Sequence, residues 1–245
     1  MFHWDISDFE QAPFWGAIVE IIAANILLSG DNAVIIAMAC RSLPRLQRIR
    51  GIAIGAAAAV LLRIAFAGVI ARLIELPYVK IVGGLALLYI AARLLVPDDD
   101  DAGDVEEARH LWHAVRIIVV ADIVMSFDNV LAIVQIASGD LLLLSFGLGL
   151  SVPLVIAGAT FLTAILDRFP ILIWAGSALL GWVGGQTIVD DKKFDALFSV
   201  AQLGESRVAL ISACAGAVLV IAAGGLWRHR RMTKARASED GASTR

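Results

Sequence analysis

The stretch IVEIIAANILLSGDNAVIIAMA, residues 18–39, is as apolar as a membrane-spanning helix but carries a cluster of polar side chains near its middle. These are Asn25, Ser29, Asp31 and Asn32. A second stretch of the same kind, IIVVADIVMSFDNVLAIVQIA, covers residues 117–137. An ionised side chain at the centre of a membrane helix costs roughly 2.5–3.5 kcal/mol or more, so such residues usually serve a function.

Composition separates the chain from soluble globular proteins. It is 59% hydrophobic and 18% charged, with a mean hydropathy of +0.81, whereas globular domains are about 45–50% apolar and about 25% charged. Its apolar runs are long enough to cross the hydrocarbon core of a bilayer. We therefore predict an integral membrane protein that contacts lipid and binds no nucleic acid.

Apolar runs between charged residues and prolines predict an all-α fold with seven transmembrane helices. The arginine-rich segments 41–50 and 228–236 should face the cytoplasm, because positive residues mark cytoplasmic loops. An odd number of helices then places the N-terminus outside and the C-terminus inside. The predicted helices cover roughly residues 14–40, 46–71, 77–96, 113–137, 141–166, 170–189 and 207–227.

The two polar stretches are copies of each other at a fixed spacing. Asp31 and Asp128 are 128 − 31 = 97 residues apart, and three further pairs share this offset: Ser29 with Ser126, Asn32 with Asn129, and Asn25 with Asp122. Each copy begins a group of three helices. Because three is odd, the second group enters the membrane from the opposite face, which predicts two inverted three-helix repeats plus one C-terminal helix.

This layout divides the chain into five segments. Segment 97–112 carries seven Asp and Glu residues, and we expect it to be a solvated linker, with cation sensing as an alternative. The segments are the first three-helix repeat 1–96, the acidic cytoplasmic linker 97–112, the second repeat 113–189, a loop with the seventh helix 190–227, and the basic cytoplasmic tail 228–245.

The symmetry of the repeats should bring Asp31 and Asp128 together near the middle of the membrane. Two carboxylates with nearby amide and hydroxyl oxygens form a hard donor set that suits Mg²⁺, Ca²⁺ or Mn²⁺. Their charge of −2 would neutralise one divalent ion. Gly30 marks a place where the first helix could loosen, although a packing role is equally consistent. The polar side chains could instead serve only to hold helices together.

Supporting roles are expected for five further residues. Glu20 would line an outer vestibule, and Met125 would add a softer ligand unless it packs in the core or against lipid. Arg63 would pair with Asp31 or Asp128 in the empty state, with a structural ion pair or snorkelling as the alternative. The two repeated serines, Ser29 and Ser126, complete this group.

The blocks LLSGDNAVIIA, residues 27–37, and MSFDNVLAIV, residues 125–134, resemble the paired S-x-D-N signatures of the TerC family of integral membrane proteins. The resemblance covers nearly the whole chain and is greatest with the short bacterial YjbE-type branch. It implies a metal transporter of the bacterial cytoplasmic membrane, with export of Mn²⁺ as the expected activity. It further implies that metal contacts are made by Asp31 and Asp128, with Asn32, Asn129, Asn25 and Asp122 close by.

The main hypothesis is a secondary exporter of Mn²⁺ or a similar divalent ion that works by alternating access. Such a protein needs no tightly bound cofactor and is not an enzyme. A non-transporting membrane subunit that assists metalation or assembly of other proteins is the alternative. An intramembrane aspartyl protease is a remote one, because its G-x-G-D pattern is absent. The coupling ion, the metal and a homo-oligomeric state are left open.

Overall fold

A computed structural model describes residues 12–28, 30–69, 76, 78–96, 104–138, 140–191 and 205–243. It describes their side chains too, except those of residues 12–13, 104–109, 127–128, 205 and 234–243. These parts of the chain form helices and no strand, which confirms the all-α prediction for them. The helices are α1 (Ala12–Leu28), α2 (Gly30–Cys40), α3 (Arg45–Ala67), α4 (Val79–Leu94), α5 (Asp104–Ile136), α6 (Leu141–Arg168), α7 (Ile171–Val189) and α8 (Glu205–Ser243).

The described residues contain four to six candidate membrane spans. Within the described residues, α3, α6, α7 and the Ser206–Thr233 part of α8 are long and apolar enough to cross a bilayer. The α1–α2 pair and the bent α5 raise the count from four to six if each is one span. The 16 residues of α4 extend only about 24 Å, which is shorter than a hydrocarbon core of about 30 Å. Seven spans and their inverted arrangement therefore stay predictions.

Both polar motifs lie at sharp bends. Phe14–Leu28 and Gly30–Cys40 meet at 57°, and within α5 the segments His110–Ser126 and Asn129–Ile136 meet at 63°. The first bend lies beside Gly30, and glycine is a poor helix former. The predicted continuous helices 14–40 and 113–137 are thus each bent where their polar residues can take over backbone hydrogen bonds.

Two helices extend beyond their predicted ends. α5 begins at Asp104, inside the predicted linker 97–112, of which residues 97–103 lie outside the described part of the chain. Glu106 and Glu107 are good helix formers, and acidic residues in a first turn are stabilised by the helix dipole. α8 likewise continues through the predicted basic tail as far as Ser243.

Contacts divide the chain into two compact units. Unit 1, Met1–Val79 with Gly103–Arg168, contains α1, α2, α3, α5 and α6. Unit 2, Lys80–Ala102 with Phe169–Arg245, contains α7, α8 and nearly all of α4. Each unit therefore combines helices from both predicted repeats.

An apolar core of unit 1 packs α1 against α6. It contains Phe14, Ile18 and Ile21 of α1 and Leu143, Leu144 and Leu148 of α6. A Cβ atom on Gly147 would lie 2.5 Å from Cγ2 of Ile21, and one on Gly55 would lie 2.6 Å from Cδ1 of Ile118. Because glycine has no side chain, Gly147 lets α6 lie close to α1, and Gly55 lets α3 lie close to α5.

The turn between α5 and α6 is fixed by its own side chains. Ser138 adopts a left-handed backbone conformation with a φ of 53° just after α5 ends. Asp140 then accepts hydrogen bonds at Oδ1 from the backbone N–H groups of Leu142, at 2.8 Å, and Leu143, at 3.2 Å. This is a side-chain cap for the N-terminus of α6. The cap also supplies hydrogen bonds to the buried carboxylate of Asp140.

Candidate functional site

A buried arginine lies among the polar side chains of unit 1. Arg63 of α3 is 3% exposed. Its Nη1 donates to Oδ1 of Asn25 at 2.6 Å, its Nε donates to Oγ of Ser126 at 3.1 Å, and its Nη2 donates to Oδ1 of Asp122. Asp122 is as deeply buried as Arg63, so the two form a fully buried ion pair.

Two hydroxyl groups extend this network. Ser126 donates its Oγ to Oδ2 of Asp122 at 3.0 Å, so that both carboxylate oxygens of Asp122 accept hydrogen bonds. Asn25 donates its Nδ2 to Oγ of Ser151 at 2.7 Å, and Ser151 donates in turn to the carbonyl of Leu148 at 2.6 Å. The network thereby connects α1, α3, α5 and α6.

The network explains how a charged residue is stable in α3. Burying an ion costs several kcal/mol unless an opposite charge and further hydrogen bonds compensate it. Arg63 has both, and removing one member of such a pair costs about 3–5 kcal/mol. This agrees with the structural ion pair that was one expectation for Arg63, with Asp122 as a partner. A pairing with Asp31 or Asp128 stays a prediction, since the side chain of Asp128 lies outside the described part of the chain.

The first helix break is held by side chains. In an unbroken helix the N–H of Asn32 would bond to the carbonyl of Leu28. Here the N–H of Asn32 donates to Oδ1 of Asp31 at 2.9 Å, and the carbonyl of Leu28 accepts a hydrogen bond from Nδ2 of Asn129 at 2.8 Å. Asn129 therefore links α5 to the end of α1, and the two S-x-D-N motifs meet at this point.

The side chain of Asn32 is buried and has no hydrogen-bond partner within the described part of the chain. It is 5% exposed, and among the described residues neither its Nδ2 nor its Oδ1 makes a hydrogen bond. Leaving a buried polar group unpaired costs about 1–3 kcal/mol. The neighbouring Asp31 is half-buried, and its carboxylate lies in the electrostatic fields of Arg63 and Asp122. An amide with open hydrogen-bonding capacity thus lies next to an acidic side chain.

The remaining predicted site residues differ in how deeply they are buried, and two of them are not fully described. Met125 is buried at 8% exposure, and Glu20 is exposed on α1. Ser29 and the side chain of Asp128 lie outside the described part of the chain, so a shared site for Asp31 and Asp128 stays a prediction. No group of three or more His, Cys, Asp and Glu side chains that could hold a metal ion occurs among the described residues.

Ser151 is the polar residue of the network that sequence analysis missed. It lies in the apolar helix α6, outside both motifs, and its only signal is its position two residues before Pro153 within a predicted span. A serine in a membrane helix often bonds to its own backbone, as Ser151 does with Leu148. Its second bond, to Asn25 across 126 positions of sequence, depends on how α1 and α6 pack.

Comparison with known proteins gives consistent results along most of the chain. The model of the family described as "Integral membrane protein TerC family" matches residues 10–233. The "Uncharacterized membrane protein YjbE" of Bacillus subtilis (strain 168) is 40% identical over 177 residues, which are 72% of this chain and 81% of that protein.

Two further relatives from the same organism are more distant. The "Uncharacterized membrane protein YkoY" is 26% identical over 186 residues, or 68% of this chain and 57% of that protein. The "Uncharacterized membrane protein YceF" is 25% identical over 176 residues, or 68% of each chain. No solved structure matches. The apolar helices, the paired S-x-D-N motifs and the extent of the family match lead to one conclusion: the chain belongs to the TerC family of integral membrane proteins.

Proposed function

We propose that this protein transports a divalent metal ion, with Mn²⁺ as its expected substrate, across the bacterial cytoplasmic membrane. The observation that carries this proposal is that the α1–α2 pair and α5 are each bent at an S-x-D-N motif, and that Asn129 beside the second bend bonds to the carbonyl of Leu28 beside the first. Discontinuous helices whose ends line a site near the midplane are typical of secondary transporters. Their open backbone groups and polar side chains bind ions inside the membrane.

The chemistry of the motifs supports a hard cation. Asp31 and Asp128 supply carboxylates, and the amide of Asn32 has no partner among the described residues. Carboxylate and amide oxygens suit Mg²⁺, Ca²⁺ and Mn²⁺. Because Arg63 engages Asn25 and Asp122, we assign these two residues to the supporting network and the ion to the side of the network that contains Asp31 and Asn32.

The choice of Mn²⁺ as substrate and of export as direction rests on the family resemblance. The orientation of the protein in the membrane rests on the charge of the loops. The names of the relatives describe uncharacterized membrane proteins and specify no substrate. The arginines of segment 41–50 and the basic residues of segment 228–236 favour a cytoplasmic location for both. The N-terminus then lies outside, and the binding site would open alternately to the cytoplasm and to the exterior.

Uptake of Mn²⁺ into inverted membrane vesicles tests this function. An exporter accumulates the ion in such vesicles when an ion gradient is imposed. We expect Asp31→Asn and Asp128→Asn to abolish uptake while the protein still inserts into the membrane. Asp167→Asn is the matched control, since Asp167 is a half-exposed residue of the same unit in a peripheral ion pair. Wild-type uptake rates in both motif variants would remove the proposed site.

One observation favours a second function, that of a non-transporting membrane subunit. Arg63 donates to one oxygen each of Asn25, Ser126 and Asp122, and Ser126 donates to the second oxygen of Asp122, as in a network that only holds helices together. Such a subunit would give no flux of any divalent metal in vesicles from wild-type cells. Its deletion would instead change the metal content of other membrane or secreted proteins.

A further inference from the structure

The charges at the two motifs do not cancel. Counted from the sequence, Asp31, Asp122 and Asp128 carry a formal charge of −3 and Arg63 carries +1, so the formal sum is −2. The side chain of Asp128 itself lies outside the described part of the chain. One divalent ion would neutralise this sum, whereas a monovalent ion would leave a charge of −1. Glu20 is outside this sum because it is exposed on α1.

Arg63 acts at the position where the two repeats differ in charge. Asn25 in the first repeat corresponds to Asp122 in the second, at the 97-residue offset. The guanidinium of Arg63 contacts both of these side chains. The extra acid of the second repeat is therefore neutralised where it occurs, and the remaining negative charge belongs to the symmetric pair Asp31 and Asp128.

We propose that Arg63 sets the net charge of the ion site, and with it the preference for a divalent ion, without touching the ion. This inference rests on the proposed function. Arg63 is held by three side chains on two helices. It stays paired with Asp122 while the transported ion binds at Asp31 and Asn32. Arg63 is thus a positioning residue for the charge balance of the site.

Opposite changes in charge should have opposite effects on ion affinity. Arg63→Met leaves −3 at the motifs, so the ion binds more tightly and leaves more slowly, and both the KM and the maximal rate fall. Asp122→Asn leaves −1, so the KM rises. A unit charge within about 10 Å changes binding by roughly tenfold or more at the effective dielectric constant of a protein interior. The double variant Arg63→Met/Asp122→Asn restores −2 and should return the KM to within about threefold of wild type.

The experiment measures Mn²⁺ uptake by purified protein in sealed proteoliposomes, together with equilibrium binding of Mn²⁺ to the same preparations. The KM does not depend on the amount of folded protein, so a low yield of a variant leaves the comparison intact. Arg63→Lys keeps the positive charge but loses the planar guanidinium group with its several N–H donors. It should therefore retain a near wild-type KM even if the protein is less stable. If Arg63→Met fails to insert, Asp122→Asn and Arg63→Lys still test the proposal.

The matched control is Arg48→Met, which removes an arginine from the peripheral pair with Asp167 and should leave the KM unchanged. The proposal is overturned if Arg63→Met and Asp122→Asn shift the KM in the same direction. It is also overturned if the double variant keeps the defect of Arg63→Met. A wild-type protein that neither binds nor transports any divalent ion would instead overturn the proposed function, so the two failures are distinguishable.

Discussion

The two units hold their helices together by different means. In unit 1 the glycines Gly55 and Gly147 contact side chains, and buried polar side chains around Arg63 join four helices. In unit 2 they approach each other through glycines: a Cβ atom on Gly181 would lie 2.7 Å from the carbonyl oxygen of Gly216, and one on Gly185 would overlap the carbonyl of Ser212. Ser212 also donates its Oγ to the carbonyl of Gly185 at 2.6 Å.

This difference indicates which unit can change its conformation. A side-chain network can exchange hydrogen-bond partners when its helices move, and the break beside Gly30 gives α1 and α2 a place to bend. Backbones in direct contact, as in α7 and α8, cannot move closer or slide without collision. Aromatic contacts add to unit 2, where the guanidinium of Arg228 lies 5.8 Å from the ring of Trp174. We therefore expect unit 1 to carry the conformational change and unit 2 to stay rigid.

The largest effect is expected when the charge pair of unit 1 is broken. Arg63→Met alone should lower the free energy of unfolding by about 3–5 kcal/mol, because it leaves Asp122 buried without its counter-ion. Adding Asp122→Asn should recover most of this loss. Unfolding in a detergent titration measures both. The control Asp167→Asn should cost about 0–1 kcal/mol, since Asp167 is half-exposed in its pair with Arg48. Equal losses in Arg63→Met and Asp167→Asn would show that burial of the pair does not matter.

A smaller effect is expected at the glycine contact of unit 2. Alanine normally stabilises a helix relative to glycine by about 1 kcal/mol, but Gly185→Ala should destabilise the protein by about 1–3 kcal/mol through overlap with Ser212. The matched control is Gly225→Ala in α8, where the nearest atom, on Trp174, lies at an ordinary 3.5 Å. Thermal unfolding in detergent should move in opposite directions for the two variants. A common direction would contradict close packing in unit 2.

The smallest effect concerns the repeated asparagines of unit 1. Asn129→Ala removes the bond to Leu28 and should cost about 0.6–1.7 kcal/mol, the range of polar bonds between membrane helices. Asn32→Ala should cost nothing, because its amide has no partner among the described residues. Both variants should lower Mn²⁺ uptake. A stability loss in Asn32→Ala as large as that in Asn129→Ala would show that Asn32 serves the fold and not a ligand.

Much of the fold could be predicted because apolar runs define membrane helices, and each of the seven predicted segments contains a helix. The bends could not be predicted in full. Gly30 indicated the first one, but the second lies at Phe127 and Asp128, which carry no comparable signal. The predicted segment 77–96 is longer than α4, because buried apolar residues continue past the end of the α-helix into the hydrogen-bonded turn at Leu95 and Val96.

The residues of the site could be predicted more easily than their partners. The repeated motifs predicted Asn25, Asn32 and Asp122 as site residues, since polar groups in apolar spans are costly, and the structure shows all three buried. Which acid pairs with Arg63 depends on the rotation and crossing of α3 and α5, and the sequence contains no direct information about either. Ser151 was missed for the same reason, because its bond to Asn25 requires α6 to lie beside α1.

The pairing of Arg63 has a consequence for how the protein is made. Arg63 precedes Asp122 by 59 residues, so the ribosome delivers α3 to the membrane before its counter-ion has been synthesised. During that interval the translocon must accept a helix with an unpaired guanidinium, at a cost of about 2.5–3.5 kcal/mol, which the apolar remainder of α3 has to offset. The first half of the chain therefore completes its folding only after α5 has been translated, and a nascent chain truncated before α5 should be a substrate for membrane quality control.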